Sequence, residues 1–302
     1  MDARYETYSY RSHEVDVITN RVSQAIDVIR RRLYAGPMET IVTKLGLRSY
    51  LSDAYWTIIL ALSNETHIRS ISGVNAKFTV STPHEYNRFH DPTLKGEVEI
   101  IEDLLSSLRP DDVFFDVGAN VGLYTCFAGR KTVDGTVIAF EPHPLNVDRI
   151  WENAELNEVP VEVLEVALAN ENGTALLEVH DDITGVVGNV TDEEREGNHV
   201  QIPIELKQGD VLLEEDDIPI PNVVKIDVDG GEVGVIRGLI ETLSQPECRR
   251  IYCEIHPGPL EVYGATPEEV HDLLSKAGFE LERIDVNHLM RGGEYSVCGT
   301  KR

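Results

Sequence analysis

The sequence has few cysteines, few lysines and no long apolar run. Its four cysteines, Cys126, Cys248, Cys253 and Cys298, form no Cys-x-x-Cys pair and join no Cys/His cluster with zinc-like spacing. That argues against a structural zinc and against a disulfide scaffold, and predicts reduced thiols acting as small, half-buried hydrophobes. The longest apolar run, YWTIILAL at 55–62, falls well short of the roughly 20 residues that cross a bilayer as a helix. The opening stretch, MDARYETYSYRSHEVD, is polar and lacks the apolar centre of a secretory leader. These features predict a cytoplasmic protein without a transmembrane segment, leaving peripheral membrane contact open. No internal period of roughly 20–50 residues recurs, which excludes solenoid and propeller arrays.

Only eight of the 27 basic residues are lysine, and 53 acids bring the net charge to −26. One consequence is repulsion of nucleic acid and anionic membrane. The acids are spread along the chain, as in EEDD at 214–217 and DEERE at 192–196, and form no single tail. That distribution favours a salt-adapted, halophilic surface, whose carboxylates keep the protein hydrated while short Debye lengths mute their repulsion. At 302 residues and 41% hydrophobic content the chain can bury a full core, as one large domain or two small ones.

After a polar first dozen residues, apolar Val15, Ile18, Val22, Ala25, Ile26, Ile29 and Leu33 recur at three- and four-residue steps, predicting an amphipathic helix. A second helical stretch follows Gly36-Pro37 and runs to about Leu62, and HIRSISGVNAKFTVS (67–81) reads as a hairpin. A polar segment with Pro83 and Pro92 separates this N-terminal extension, residues 1–92, from a second domain over 93–302. In the second part strands and helices alternate. VEIIEDLLSSL (98–108) reads as a helix and VFFDV (113–117) as a strand, with another helix starting at Gly122. TVIAFE (136–141), a helix at 144–157 and VEVLEVAL (161–168) follow; then come TALLEVH (174–180), QIPIEL (201–206), VVKIDV (223–228), a helix at 231–244 and RIYCEI (250–255). A helix at 267–277 precedes two strands, ELERIDV and YSVCGTK, with no helix between them. Alternation of this kind implies an α/β fold with a mainly parallel sheet covered on both faces. The ending implies one antiparallel strand tucked into that sheet.

Three stretches carry chemistry. The first is D-V-G-A-N-V-G at 116–122, a turn at the carboxyl end of the first strand, where doubly wound sheets bind ligands. A dinucleotide fingerprint would be G-x-G-x-x-G, but Asn120 occupies the second glycine place and Leu123 the third. Acid-x-Gly-x-x-x-Gly suits a ligand without phosphates whose amino-acid end needs an acid and backbone groups, as S-adenosylmethionine does. A Gly-rich turn is by itself often only a turn, and asparagine tolerates left-handed geometry and also shapes loops. The second stretch is AFEPHP (139–144), whose Glu141 ends the next strand about 20 residues on, where a carboxylate binds ribose hydroxyls. That spacing serves NAD equally, and a strand-end acid is also common in so acidic a chain. The third is VVKIDVDGGEVGVIRG (223–238). It places Lys225 and Asp227 on one face of a strand otherwise fit for burial, which calls for function or for internal ion pairing.

Together these stretches resemble the FkbM family of S-adenosylmethionine-dependent methyltransferases. The resemblance runs over about residues 97–300 and rests on Phe115 to Thr125, on Phe140-Glu141-Pro142 and on Asn153 and Asn157. It also rests on Val166-Ala167-Leu168 with Gly173-Thr174, on Lys225 to Glu232 and on Glu254-Ile255-His256. Two positions depart from the family pattern: Asp229 stands in place of glutamate, and Gly231 in place of a bulkier residue. The resemblance implies a class I methyltransferase fold, a Rossmann-like seven-stranded sheet with one antiparallel strand near the C-terminus. It implies that Asp116, Gly118, Ala119, Asn120 and Gly122 line the methionine end of the cofactor. Glu141 and Pro142 would meet the ribose, with Ala167 in a further matched cofactor stretch and Glu97 at the amino group.

Methyl transfer is largely a matter of positioning, since the leaving group is already activated. A hydroxyl acceptor must still lose a proton, whereas a carboxylate acceptor need not. Candidate bases are Asp227, Glu232, Glu254 and His256, with Lys225 orienting an anionic substrate or tuning Asp227. His256-Pro-Gly after a strand also reads as an ordinary turn. Several acids at one edge are able to bind a divalent ion, but no spacing demands one, so no metal is expected. The family resemblance implies O-methylation of sugars, polysaccharides or polyketide-type products. In a chain of salt-adapted composition a sugar or glycan of the cell envelope, at a hydroxyl or uronic carboxylate, is the expected acceptor. The acidic insertion at 181–200 is either a gate over the acceptor or a solvated loop, and its Asn189-Val-Thr191 sequon has no occasion in a cytosolic chain. The alternatives are a non-catalytic scaffold in a glycan-building complex and an NAD(P)-dependent oxidoreductase.

Overall fold

The computed structural model describes residues 44, 48–62, 66–179, 183–185, 188–191, 199–284 and 293–301. The amphipathic helix predicted over 15–33 lies outside them, as does most of the 181–200 insertion. The elements begin with helix α1 (Arg48–Leu62), strands β1 (Thr66–Ile71) and β2 (Val74–Thr79), and helices α2 (Pro83–His90) and α3 (Val98–Ser107). An alternating core follows: β3 (Val113–Val117), α4 (Leu123–Lys131), β4 (Thr136–Phe140), α5 (Pro144–Asn157) and β5 (Val161–Leu164). Next come β6 (Ala167–Ala169), β7 (Gly173–Val179), β8 (Asn189–Thr191), β9 (Val200–Gln208) and α6 (Gly209–Glu215). The chain then passes through β10 (Val223–Ile226), α7 (Glu232–Gly238), α8 (Ile240–Ser244) and β11 (Arg250–Ile255). It closes with α9 (Pro257–Val262), α10 (Pro267–Lys276), β12 (Glu280–Ile284) and β13 (Tyr295–Thr300).

By contacts the chain divides into two compact units, one with Met1–Thr66 and Val80–Tyr86, the other with His67–Thr79 and Asn87–Arg302. In the smaller one, Trp56 meets the rings of Tyr55 and Tyr86 edge-on, with centroids 4.9 and 5.7 Å away. By contacts the hairpin residues His67–Thr79 group with the larger unit.

The larger unit is built on a seven-stranded sheet of order β12-β13-β11-β10-β3-β4-β5. β3 lies parallel to both β4 and β10, and β10 to β11. β13 runs antiparallel between β11 and β12, as the helix-free ending implies. This is the class I methyltransferase sheet. Its inner strands are mainly apolar because helices cover both faces, with Phe114, Phe115, Ile138, Val224 and Ile251 fully buried. Asp116 and Lys225 are the buried charged exceptions on β3 and β10. The chain leaves β3 toward β4 and later returns to the other side of β3 as β10. That reversal opens a crevice at the carboxyl ends of β3 and β10.

Three local expectations need correction. VEVLEVAL is not one strand: the chain bends at Glu165, Val166 N–H donates to Leu164 C=O, and β6 joins a second, four-stranded sheet of order β6-β9-β7-β8. The helix over 231–244 breaks at Leu239 (φ −110°), leaving two short helices. The polar segment around Pro83 is a helix. Thr82 and Glu85 form a capping box, with Glu85 N–H on Thr82 Oγ1 at 3.2 Å and Thr82 N–H on Glu85 Oε2 at 3.1 Å. Proline at the first helical position suits that start, so T-P-H-E was a legible signal.

Asn153 and Asn157, matched only as part of a motif, dock the hairpin. Asn157 Oδ1 accepts from Lys77 N–H at 2.8 Å while its Nδ2 donates to Lys77 C=O at 2.7 Å, so the amide completes an edge strand. One turn earlier, Asn153 accepts from Thr79 N–H and donates to Val121 C=O, both at 2.8 Å. The second bond reaches into the glycine-rich turn. All four cysteines are free and buried. Among the described residues no helix is long and apolar enough to cross a membrane.

Candidate active site

The turn after β3 is shaped by three left-handed residues: Gly118 (φ +74°), Asn120 (φ +51°) and Gly122 (φ +80°). A Cβ on Gly118 would lie 2.0 Å from the Asp227 carbonyl oxygen, so only glycine lets β3's turn close against β10's end. The N–H groups of Gly118 and Ala119 donate to Phe140 C=O at 3.0 and 3.2 Å. Asn120 Oδ1 accepts from its neighbour Val121 N–H at 2.9 Å, which helps hold the turn. Gly122 then caps α4.

Glu141, just beyond β4, is buried beside this turn. Its Oε2 accepts from Asn120 N–H at 2.8 Å, and its Oε1 from His143 N–H at 3.0 Å and Asn146 Nδ2 at 3.3 Å. Pro142 makes the bend between them, and His143 Nδ1 caps α5 by accepting from Leu145 N–H. Burial pushes the Glu141 carboxyl up to about 7, against the pull of these donors. Asn146 also accepts from Gly185 N–H at 2.9 Å, tying the insertion to this corner.

Lys225 on β10 joins the turn to the acidic edge. Its Nζ donates to Gly118 C=O at 2.9 Å, lies 3.2 Å from Asp227 Oδ2 and 3.4 Å from Asp116 Oδ1, and sits 5.0 Å from the centre of the Tyr124 ring. Burial opposes its charge, but Asp227, Asp116 and Glu97 outweigh it and hold the ammonium above its usual pKa. Asp116 is fully buried and takes the Thr125 hydroxyl at 2.6 Å on Oδ2. Asp227 is pushed up by burial yet ends below the ordinary carboxylate range, because Lys225 and His256 face it. Glu97 receives Arg88 Nη2 on both oxygens, at 2.8 and 2.9 Å. Burial raises its carboxyl and Arg88 partly offsets that.

At the end of β11, His256 faces a ring of carboxylates. Its Nδ1 lies 2.7 Å from Glu232 Oε1, which also accepts the His256 backbone N–H at 3.0 Å. Glu232, first residue of α7, is fully buried. The other ring nitrogen, Nε2, lies 3.4 Å from Asp229 Oδ1 and 3.8 Å from both Asp227 Oδ1 and Glu254 Oε1. Burial disfavours the imidazolium, but Glu232, Asp227, Asp229 and Glu254 prevail and raise His256 to about 9. Burial and Asp227 push Glu254 up to about 8, and burial lifts Asp229 to about 6 despite His256.

The structure brings eight of the residues singled out in the sequence to one sheet edge: Asp116, Gly118, Asn120, Glu141, Lys225, Asp227, Glu254 and His256. Glu232 stands behind His256 and holds it. Ala167 opens β6 and packs against the second sheet's apolar cluster of Ala175, Leu177, Val179 and Ile204. Arg88, Tyr124 and Asn146 were missed. Arg88 was hidden in a segment read as a linker, Tyr124 meets Lys225 from far along the chain, and Asn146, five residues from Glu141, reads as an ordinary helix-surface amide.

A sheet of this order with a glycine-rich turn, a buried strand-end glutamate and an acidic edge is the architecture of an α/β methyltransferase. The profile of the methyltransferase FkbM domain matches residues 116–281. The chain is 34% identical over 221 residues to the hexuronic acid methyltransferase AglP of Haloferax volcanii, covering 73% of this chain and 84% of that one. It is 32% identical over 222 residues to the 31-O-demethyl-FK506 methyltransferase FkbM of Streptomyces tacrolimicus, covering 65% and 82%. Among solved structures, methyltransferase FkbM from Methylobacillus flagellatus is similar with a TM-score of 0.43 and 13% identity, over 72% of this chain and 50% of that one. The chain belongs to the FkbM methyltransferase family and is an enzyme. That sets aside the oxidoreductase and scaffold alternatives.

Proposed function

We propose that the protein is an S-adenosylmethionine-dependent O-methyltransferase that modifies a sugar or glycan, with a hexuronic acid residue as the acceptor. The observation that carries this reading is the direct join between turn and acidic edge: Lys225 Nζ donates to Gly118 C=O, and Asp227 N–H to Val117 C=O at 3.1 Å. Whatever the turn holds is therefore presented to Asp227. A relative 34% identical carries the name of a hexuronic acid methyltransferase, which supports the acceptor class.

The residues suit the cofactor. Gly118 has no room for a side chain because the Asp227 carbonyl fills that space, and this close approach sets the glycine-rich turn directly against the acidic edge. Glu141 Oε1 is filled by two donors, which aim the carboxylate, while Oε2 takes only Asn120 N–H and keeps a lone pair for a ribose hydroxyl. Glu97, neutralised by Arg88, and the Asp116–Lys225 pair offer acid and base to a zwitterionic amino-acid end. S-adenosylmethionine, when bound, supplies an activated methyl group. Asp227 is held below its usual range, and it accepts the hydrogen bond of an acceptor hydroxyl and holds its proton. Lys225 keeps Asp227 ionised, and Glu232 fixes the orientation of His256. Two described points of the insertion are tied down, Gly185 N–H to Asn146 and Val190 C=O to the Tyr263 hydroxyl.

Calorimetric titration of S-adenosylmethionine, and separately of NAD, at multimolar KCl tests the cofactor. Micromolar S-adenosylmethionine binding that Glu141→Ala loses is the expected result. Absence of binding by folded wild-type protein would overturn the reading.

A further inference from the structure

From the arrangement of Asp227, Glu254 and His256, we infer that the acceptor edge is a divalent-cation site of the Mg²⁺/Mn²⁺ class. One ligand atom from each residue lies within 4.8 Å of the other two. Around a cation with bonds of about 2.1–2.4 Å, neighbouring ligands stand about 3 Å apart and opposite ones up to about 4.8 Å apart. The three residues therefore already stand close to the span of one coordination shell.

A cluster of acids alone would say little, and the independent observation is the imidazole. The His256 side chain is only 6% exposed. Its Nδ1 is committed to Glu232 at 2.7 Å, which leaves Nε2 directed toward the carboxylates. Its separations are 3.4 Å to Asp229, and 3.8 Å to each of Asp227 and Glu254. Nε2 thus stands at ion-pair range of three carboxylate oxygens without a short hydrogen bond to any one of them. A divalent ion entering there would release its proton and take the nitrogen as a ligand. Glu232 is the carboxylate partner that metal-binding histidines place on their other nitrogen. Asp227 divides its oxygens: Oδ2 faces Lys225 and Oδ1 faces His256.

One imidazole and two or three carboxylates suit manganese or magnesium better than a soft-ligand metal. Three protein ligands leave positions for water or an acceptor oxygen, so the ion would hold the hydroxyl or uronic carboxylate to be methylated. That role rests on the methyltransferase reading; the site itself does not. It reverses the sequence-based expectation of no metal, because the ligands come from two strand ends and no linear spacing displays them.

The test uses the full chain, stripped with EDTA and returned to chelator-free buffer at high KCl. Mn²⁺ is titrated in, and the free ion is followed by its electron paramagnetic resonance signal. One tight equivalent per chain is expected, weakened at least tenfold in Asp227→Asn, Glu254→Gln and His256→Ala but not in Glu214→Gln or Glu215→Gln, two exposed surface acids. Far-UV circular dichroism confirms folding; should His256→Ala unfold, Glu254→Gln decides. Weak binding spread over many equivalents and equal in all variants would mean surface carboxylates only and overturn the proposal. Calorimetry with S-adenosylmethionine on the same samples separates the two readings. Cofactor binding without a Mn²⁺ site removes the cation and keeps the methyltransferase. A Mn²⁺ site without cofactor binding does the reverse.

Discussion

The side-chain amide of Asn157 pairs with both backbone polar groups of Lys77, eighty positions away, and so acts as one more residue of strand β2's partner. Asn157→Ala leaves that N–H and C=O without their protein partners at a part-buried edge. A loss of about 1–3 kcal/mol is expected in urea unfolding. Faster amide exchange at Lys77 and Thr79, with the sheet core unchanged, would show that the hairpin has detached.

Gly118 and Gly231 make a contrasting pair. Gly118→Ala drives a methyl group into the Asp227 carbonyl at 2.0 Å and demands a left-handed alanine. It should abolish S-adenosylmethionine binding in calorimetry and lower the melting temperature. Gly231→Ala meets only Val228 side-chain atoms at 3.5 Å and beyond, in ordinary helical geometry. It should leave both within error, although the family usually carries a bulkier residue there.

Lys225 balances two carboxylates, one of them fully buried. Lys225→Met strands Asp116 without its counter-charge, at a cost of about 3–5 kcal/mol. Chemical denaturation should show this, and the double variant Lys225→Met/Asp116→Asn should recover part of it.

Glu141 gives a pH signature. Its carboxyl is raised from 4.5 to about 7 by burial, so the folded protein keeps a proton that the unfolded chain releases across that window. Stability therefore falls as pH rises from about 4.5 to about 7 and levels above, as far as this group is concerned. Unfolding free energies measured across the range should slope less in Glu141→Gln than in wild type. Equal slopes would show that Glu141 is ionised throughout.

Asp227→Asn separates the two kinds of acceptor. With a hydroxyl acceptor kcat should fall by about 100-fold or more, because the proton loses its receiver. With a uronic carboxylate acceptor, which has no proton to lose, the fall should be within about tenfold. Steady-state kinetics on each acceptor, with S-adenosylmethionine affinity as the control, reads the difference.

Much of the site was legible before folding. Gly118, Asn120, Glu141, Lys225, Asp227 and His256 each sit at a strand end, and strand ends announce themselves by a β-branched run that stops at a charge or a glycine. Roles were less legible than places. Glu232 read as a candidate base, yet its burial makes it the holder of His256. Arg88 lay in a segment that looked like a linker, although Thr82-Pro83-His84-Glu85 signalled a helix start.

Local patterns alone determined the alternating elements, the parallel sheet with its antiparallel insertion, and the turn that only glycine can make, because backbone sterics and side-chain periodicity act over a few neighbouring residues. Tertiary structure decided where VEVLEVAL divides between two sheets, that a hairpin from the N-terminal third docks on Asn153 and Asn157, and that His256 Nε2 faces Asp227, Asp229 and Glu254. Those outcomes depend on which strand ends pack side by side and on what burial does to charge. Neither quantity exists until the chain has closed on itself.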